Sequence, residues 1–401
     1  MSKKNRKWLV FTIMCLAYMP GSYAQYQLSV YAQELIQSFG LTTSQFSSLF
    51  TAPMIVAIFL SFVGGMISDK VGSKKVINIS FVIAGIGMIG RVFANSYMPF
   101  FLCMALTGFS NMFVNINASK ITASWFEQEK LGILMGIFAF CGQLPGAFAT
   151  ATTAVLFDSR TSAFIVSAIF CISVFVLWLL FVKDKPEDTM EEREKIDQEN
   201  QPSIGDSLKV VLSNKGIWLV SICIMMALGS TVTLSTFMPM ALQTMYGIDL
   251  KVCGTIASML TLGNCIGSIT GPIVFSKIKN VKVFVSGAAV LSFAGIIMCW
   301  RFPSIFVLHI LVLYTGIMLG ASMPIFLSAP VLLEGLGTKY AGSAAGVIST
   351  LQLLGAVLIP TYILTPIAGD NYSLLFMLAS ICMVIMFLCG LLLPQFGNNQ
   401  K

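Results

Sequence analysis

The sequence predicts an all-α polytopic membrane protein of twelve transmembrane helices in two pseudo-symmetric six-helix halves. Three observations carry that expectation. Of 401 residues, 56% are hydrophobic and only 10% are charged, whereas soluble globular domains are about a quarter charged. Apolar runs long enough to cross a bilayer alternate with short polar or glycine-bearing breaks. Lysine and arginine gather in every second break, which is the bias that orients membrane helices.

The spans fall near 8–33, 44–68, 76–95, 99–121, 132–155, 163–182, 216–244, 252–276, 281–300, 304–330, 341–365 and 373–394. The first follows Lys3, Lys4, Arg6 and Lys7, and its apolar character runs past Ser22-Tyr23-Ala24 to Tyr31. That tripeptide could pass for a signal-peptidase site, but the run is span-length, so it reads as a helix that stays. Pro20-Gly21 loosens it. Between the second and third spans lies Gly64-Gly65-Met66-Ile67-Ser68-Asp69-Lys70-Val71-Gly72-Ser73-Lys74-Lys75, which reads as a tight turn between antiparallel helices. Breaks on one side hold most basic residues, and those on the other only Arg160, Lys251 and Arg301. Both termini are therefore expected in the cytoplasm of a multi-pass protein of the cell membrane.

The acidic and basic stretch 183–215, with Glu187, Asp188, Glu191, Glu192, Arg193, Glu194 and Lys195, reads as a cytoplasmic linker. It separates a half at 1–182 from a half at 216–401 and carries an interfacial helix near 204–212. An internal repeat supports the division. Gly132 and Gly136 match Gly342 and Gly346, Thr107-Gly108 matches Thr315-Gly316, and the loop 276–282 is a decayed copy of the block at 64–75.

The formal charge of +7 comes mostly from these flanking segments, so no nucleic-acid partner is expected. The ten cysteines lie in or beside apolar runs without metal-type spacing and read as small hydrophobes. There is one histidine, and there is no intramembrane Ser/His/Asp set or nucleotide-binding glycine loop, so neither an enzyme nor a cofactor is expected.

The block at 64–75 resembles the G-x-x-x-D-[RK]-x-G-[RK]-[RK] loop of the major facilitator superfamily. Gly65, Asp69, Lys70, Gly72 and Lys74 match it, and Ser73 stands where a basic residue is usual. The resemblance implies the twelve-helix fold of that family and alternating access by rocking of the halves. It also makes these five residues a conformational switch loop and implies a solute cavity near the midplane, lined mainly by spans one, four, seven and ten. Spans five, eight, eleven and two would complete that lining.

Polar residues at mid-depth in such spans must face protein or water. On the first span Tyr18, Ser22 and Gln25 share a face with Tyr26 beside it, and they either line the cavity or pack against helices. Asn111 and Asn115 share a face of the fourth span, with the same two readings. Gln143 in the fifth span, Asn264 in the eighth and Gln352 in the eleventh complete the candidate set. Lys120, toward the cytoplasmic end of the fourth span, either snorkels to the interface or attracts an anion. Arg91 reads as structural and His309 as satisfied or interfacial rather than as a proton switch. The fourth span lacks the early arginine, and the cavity spans the buried carboxylate, that proton-coupled relatives commonly carry.

Trp125-Phe126-Glu127-Gln128-Glu129-Lys130-Leu131-Gly132 resembles the W-F-x(3)-[RK]-x-G loop frequent among carriers of small organic and inorganic anions. The expected activity is transport of a small organic anion or polar metabolite. The partners are that solute and the bilayer, a coupling ion or counter-substrate is left open, and a monomer is expected. Multidrug efflux, suggested by 31 Phe and 23 Met residues, and a transport-derived sensor are the alternatives.

Overall fold

The computed structural model describes residues 3–126, 128–182, 204–333 and 336–395. Linker residues 183–203, Glu127 and Glu334 lie outside the described residues, as do the side chains of Asp69, Lys70 and Lys130. Helices make up almost all of the described chain. The first unit comprises Met1–Leu41 and Ser48–Gln198, and the second comprises Thr42–Ser47 and Glu199–Lys401. Among the described residues, eleven helices are long and apolar enough to cross a membrane.

The predicted first span is the exception, because it is three consecutive helices: α1 (Lys3–Ala17), α2 (Met19–Val30) and α3 (Ala32–Phe39). Pro20 lacks the N–H that would continue the ladder, and the chain turns at Tyr18 just before it. The first unit continues with α4 (Thr43–Val71), of which it holds the part from Ser48 on, and with α5 (Ser73–Phe93), α6 (Tyr97–Trp125), α7 (Gln128–Leu156) and α8 (Arg160–Phe181). Its core buries Met14, Phe81, Phe138 and Trp178. All ten cysteines are free thiols, and seven of them are buried.

In the second unit α9 (Ile204–Ser213) leads into α10 (Lys215–Tyr246), α11 (Leu250–Ile278) and α12 (Val281–Met298). There follow α13 (Ile305–Ala321), α14 (Met323–Leu332) and α15 (Gly337–Leu358), then a π-helical stretch Ile359–Leu364, α16 (Thr365–Ala368) and α17 (Tyr372–Leu392). Proline explains both interruptions: Pro324 follows the break at Ser322, and Pro360 lies in the π-helical stretch. Helix starts are capped where the chain leaves a span. Asn214, Asp249, Asn280 and Asn371 each accept a backbone N–H from the turn they open.

The expected tight turn at 64–75 is shorter than the block suggested. Helix α4 continues to Val71, and the reversal is confined to Gly72, whose φ of +95° is open to glycine and costly for other residues. Lys279, 207 positions on, is the only non-glycine residue with positive φ among the described residues, at +54°. The second copy of the turn thus keeps a positive φ but not the same conformation, with ψ at 137° for Gly72 and 13° for Lys279, and it has lost the glycine. Lys279→Gly is expected to raise stability by up to ~1 kcal/mol, and Gly72→Ala to lower it by about as much; thermal melts in detergent read both.

Packing repeats as well. A Cβ on Gly108 would lie 2.5 Å from the Pro53 carbonyl oxygen, and one on Gly316 2.2 Å from that of Leu260. Pro53 and Leu260 are also 207 positions apart. Each unit therefore crosses its fourth helical span over its second at the same place, with glycine removing the side chain that would hold the backbones apart.

Candidate functional site

The break in the first span is held from α6. The Asn111 amide, turned so that both its atoms are satisfied, accepts from Ser22 Oγ at 3.0 Å and Ser22 N at 3.1 Å and donates to the Tyr18 carbonyl at 3.2 Å. A half-buried amide that meets backbone groups freed by a kink removes the cost of leaving them unpaired. Asn111 and Ser22 are thereby brought together. Asn117, on another face of α6, donates to Ser68 Oγ at 3.0 Å and ties α6 to α4.

Below and above that joint, two tyrosines lie on glycines of α7. The Tyr18 ring stacks on Phe138 at 4.7 Å and 20°, and a Cβ on Gly142 would fall 2.0 Å from its Cε1. The Tyr26 ring meets Gly146 and packs edge-on to Phe50 at 5.5 Å. Gln25, buried, donates to the Phe50 carbonyl at 2.8 Å. Tyr18, Ser22 and Tyr26 are half-buried. Sequence spacing placed the tyrosines on neighbouring faces, but it gave no sign of the glycine platforms. Small residues four apart on the fifth span were the available signal.

Asn115, Lys120 and Gln143 are exposed. Asn115 and Gln143 lie near the middle of helices that cross a membrane, where lipid offers an amide nothing, so their outward faces meet water or protein. Lys120 is the only charged residue of α6.

In the second unit Asn264 is buried where α11 crosses α13, with Gly316 and Gly320 against its backbone, and Gln352 is half-buried on α15. His309 donates from Nδ1 to the Ile305 carbonyl at 2.8 Å and meets the Thr255 hydroxyl through Nε2 at 3.3 Å. Both ring nitrogens therefore have partners.

Arg91 is buried on α5. It donates to the Ala24 carbonyl and Gln27 Oε1, each at 2.9 Å, and to Ser167 Oγ, and its guanidinium lies over Phe164 at 4.3 Å. Gln27 donates in turn to the Ala163 carbonyl at 3.2 Å. The network fixes α2, the helix that presents Ser22, Gln25 and Tyr26, against α5 and α8.

The Major Facilitator Superfamily model matches residues 10–360. The chain is 23% identical over 364 residues to a probable sulfoacetate transporter of Cupriavidus necator, covering 85% of this chain and 83% of that one. It is 22% identical over 309 residues to a galacturonate transporter of Dickeya chrysanthemi, covering 74% and 90% of the two chains. Among solved structures, a bacterial homologue of the human lysosomal transporter Spinster superposes with a TM-score of 0.76 at 13% identity, covering 98% and 95%. With the family model spanning nearly its whole length and eleven membrane-crossing helices described, the chain belongs to the Major Facilitator Superfamily of multi-pass membrane transporters.

Proposed function

We propose that the protein carries a small solute bearing a carboxylate or sulfonate group across the membrane. The observation that supports this best is the exposure of the Asn115 and Gln143 amides at mid-length in α6 and α7, with Lys120 as the one charge on α6. Amides supply donors and acceptors to hydroxyls and to an anionic head, and a lysine supplies the charge that balances it. The relatives named as sulfoacetate and galacturonate transporters, both for acidic solutes, agree with that chemistry. On this reading the first unit contributes Tyr18, Ser22, Gln25, Tyr26, Asn111, Asn115, Lys120 and Gln143, and the second contributes Asn264 and Gln352. The loop with Gly65, Asp69, Lys70, Gly72 and Lys74 then serves the switch between access states.

The test is thermal stabilisation of the detergent-solubilised protein, followed by flux in proteoliposomes, with sulfoacetate and galacturonate against neutral sugars and lipophilic cations. Stabilisation by the acids alone supports the proposal, whereas stabilisation by lipophilic cations alone overturns it. Lys120→Gln is expected to weaken apparent affinity for the acid roughly tenfold, the scale of one hydrogen bond to a charged group. Lys120→Arg should keep most of it, and equal transport by wild type and both variants would remove Lys120 from the site.

A further inference from the structure

The second unit holds a cavity of about 600 Å³ at the ends of its helices, away from every candidate site residue. Lys215 and Lys282 line it, with apolar walls from Leu219, Leu333, Leu392 and Leu393. The lysines occupy the first turns of α10 and α12, two membrane-crossing helices whose N-terminal dipoles have the same sign as the side-chain charges. No acidic residue lines the cavity among the described residues, and neither lysine has an ion-pair partner among them. The cavity is built rather than incidental. Gln395 donates to the Lys279 carbonyl at 2.8 Å and accepts from Val281 N at 3.3 Å, which ties the chain after α17 to the start of α12 beside the pocket.

Depth in the membrane follows from the neighbours. Trp218, one turn into α10, is 43% exposed and donates from Nε1 to the Leu212 carbonyl at 2.8 Å. A half-exposed tryptophan at a span's end marks the headgroup level. The pocket thus opens where phosphate groups lie, with two ammonium groups there that have no acidic partner among the described residues and a leucine-lined wall running toward the hydrocarbon. A soluble anion would use the lysines and leave the leucines idle, and a zwitterionic lipid brings its own cation to a site already positive. We propose that this cavity binds one acidic phospholipid, with its phosphate between Lys215 and Lys282 and an acyl chain along Leu219, Leu333, Leu392 and Leu393. The site stands apart from the solute reading, and its occupant is a component of the membrane.

Native mass spectrometry of the purified full chain, titrated with phosphatidylglycerol, phosphatidylcholine or glycerol 3-phosphate, tests it. Phosphatidylglycerol is expected to bind roughly thirtyfold more tightly than phosphatidylcholine, the effect of two lysines at a membrane surface. In K215Q/K282Q the two lipids should bind alike, and K215R/K282R should restore the preference. Leu219→Trp, which fills the cavity and keeps both charges, is expected to lose the bound lipid; it also serves if the glutamine pair fails to fold. Equal binding of the two lipids to wild type, an unchanged preference in K215Q/K282Q or retention by Leu219→Trp would each overturn the proposal. Competition by glycerol 3-phosphate at the same concentration as the whole lipid would overturn it too, in favour of a free-anion site.

Discussion

Arg91→Met is expected to destabilise the protein by about 2–3 kcal/mol, read as a fall in melting temperature and a smaller monodisperse fraction in detergent. Two effects oppose each other. Methionine relieves the burial of a charge that, among the described residues, has no carboxylate partner, and relief of that kind can be worth several kcal/mol. The guanidinium, however, has already exchanged water for two carbonyl-type oxygens, a hydroxyl and the face of Phe164, and only its Nε lacks a partner. Hydrogen bonds to a charged donor are worth ~1.5–3 kcal/mol each. Once it is gone, Ser167 still donates to the Phe164 carbonyl, but Gln27 Oε1 is stranded at a residue with no exposure. That orphaned acceptor decides the sign.

A double variant isolates it. Gln27→Leu with Arg91→Met removes both partners and should cost less than the sum of the two single changes, with a coupling of at least ~1 kcal/mol. Arg91→Lys should fall between, because an ammonium on a flexible stem cannot hold Gln27, Ser167 and Ala24 in one fork. If Arg91→Met melts with wild type, the network is not what holds α2 in place.

The helical architecture was legible because lipid imposes a strict requirement: a crossing segment must be apolar and satisfy its own backbone. The kink at Tyr18 was legible from Pro20, and the reversal near residue 72 from its glycine and lysines. Residues sharing a face were legible too, since helical spacing alone places Tyr18, Ser22 and Gln25 together. What faces them was not. Gln25 reaches a backbone carbonyl on α4, and Asn111 closes the kink itself; both partners depend on how closely helices approach, which spacing along one helix does not encode. Approach in a membrane is set by small residues on the opposing helix, such as Gly142 and Gly146, and hydropathy gives glycine almost no weight. Arg91 stood out as a lone charge in an apolar run, but its three oxygen partners come from two other helices and had no sequence signal.

The same neglect of glycine hides the tightest contact in the second unit, where the largest loss of stability is expected. Gly263, Gly267 and Gly271 recur every fourth residue on α11, and a Cβ on each would lie 2.3, 2.1 and 2.0 Å from the carbonyl oxygens of Leu313, Ile317 and Ala321 on α13. Gly316 and Gly320 return the approach, at 2.2 Å from the Leu260 oxygen and 2.3 Å from that of Asn264. These obstacles are backbone, so no side chain can swing aside, and the two helices must separate along their length to admit even a methyl group. Gly267→Ala is expected to cost ~3 kcal/mol or more, the upper range of overpacking, and Gly267→Leu to abolish folding. Gly287 on α12 provides the control, because a Cβ there meets nothing within 4 Å. Gly287→Ala should stabilise by ~0.5–1 kcal/mol through helix propensity alone. The first unit carries Val56, Leu60 and Gly64 at the positions 207 earlier, so α4 has no such stripe: backbone meets backbone at Gly108, and Gly64 meets only side chains of α6. Parallel melts of Gly267→Ala and Gly287→Ala separate the two causes. Shifts in opposite directions identify backbone contact as what binds α11 to α13 and fixes Asn264 at their crossing, and like shifts refute it.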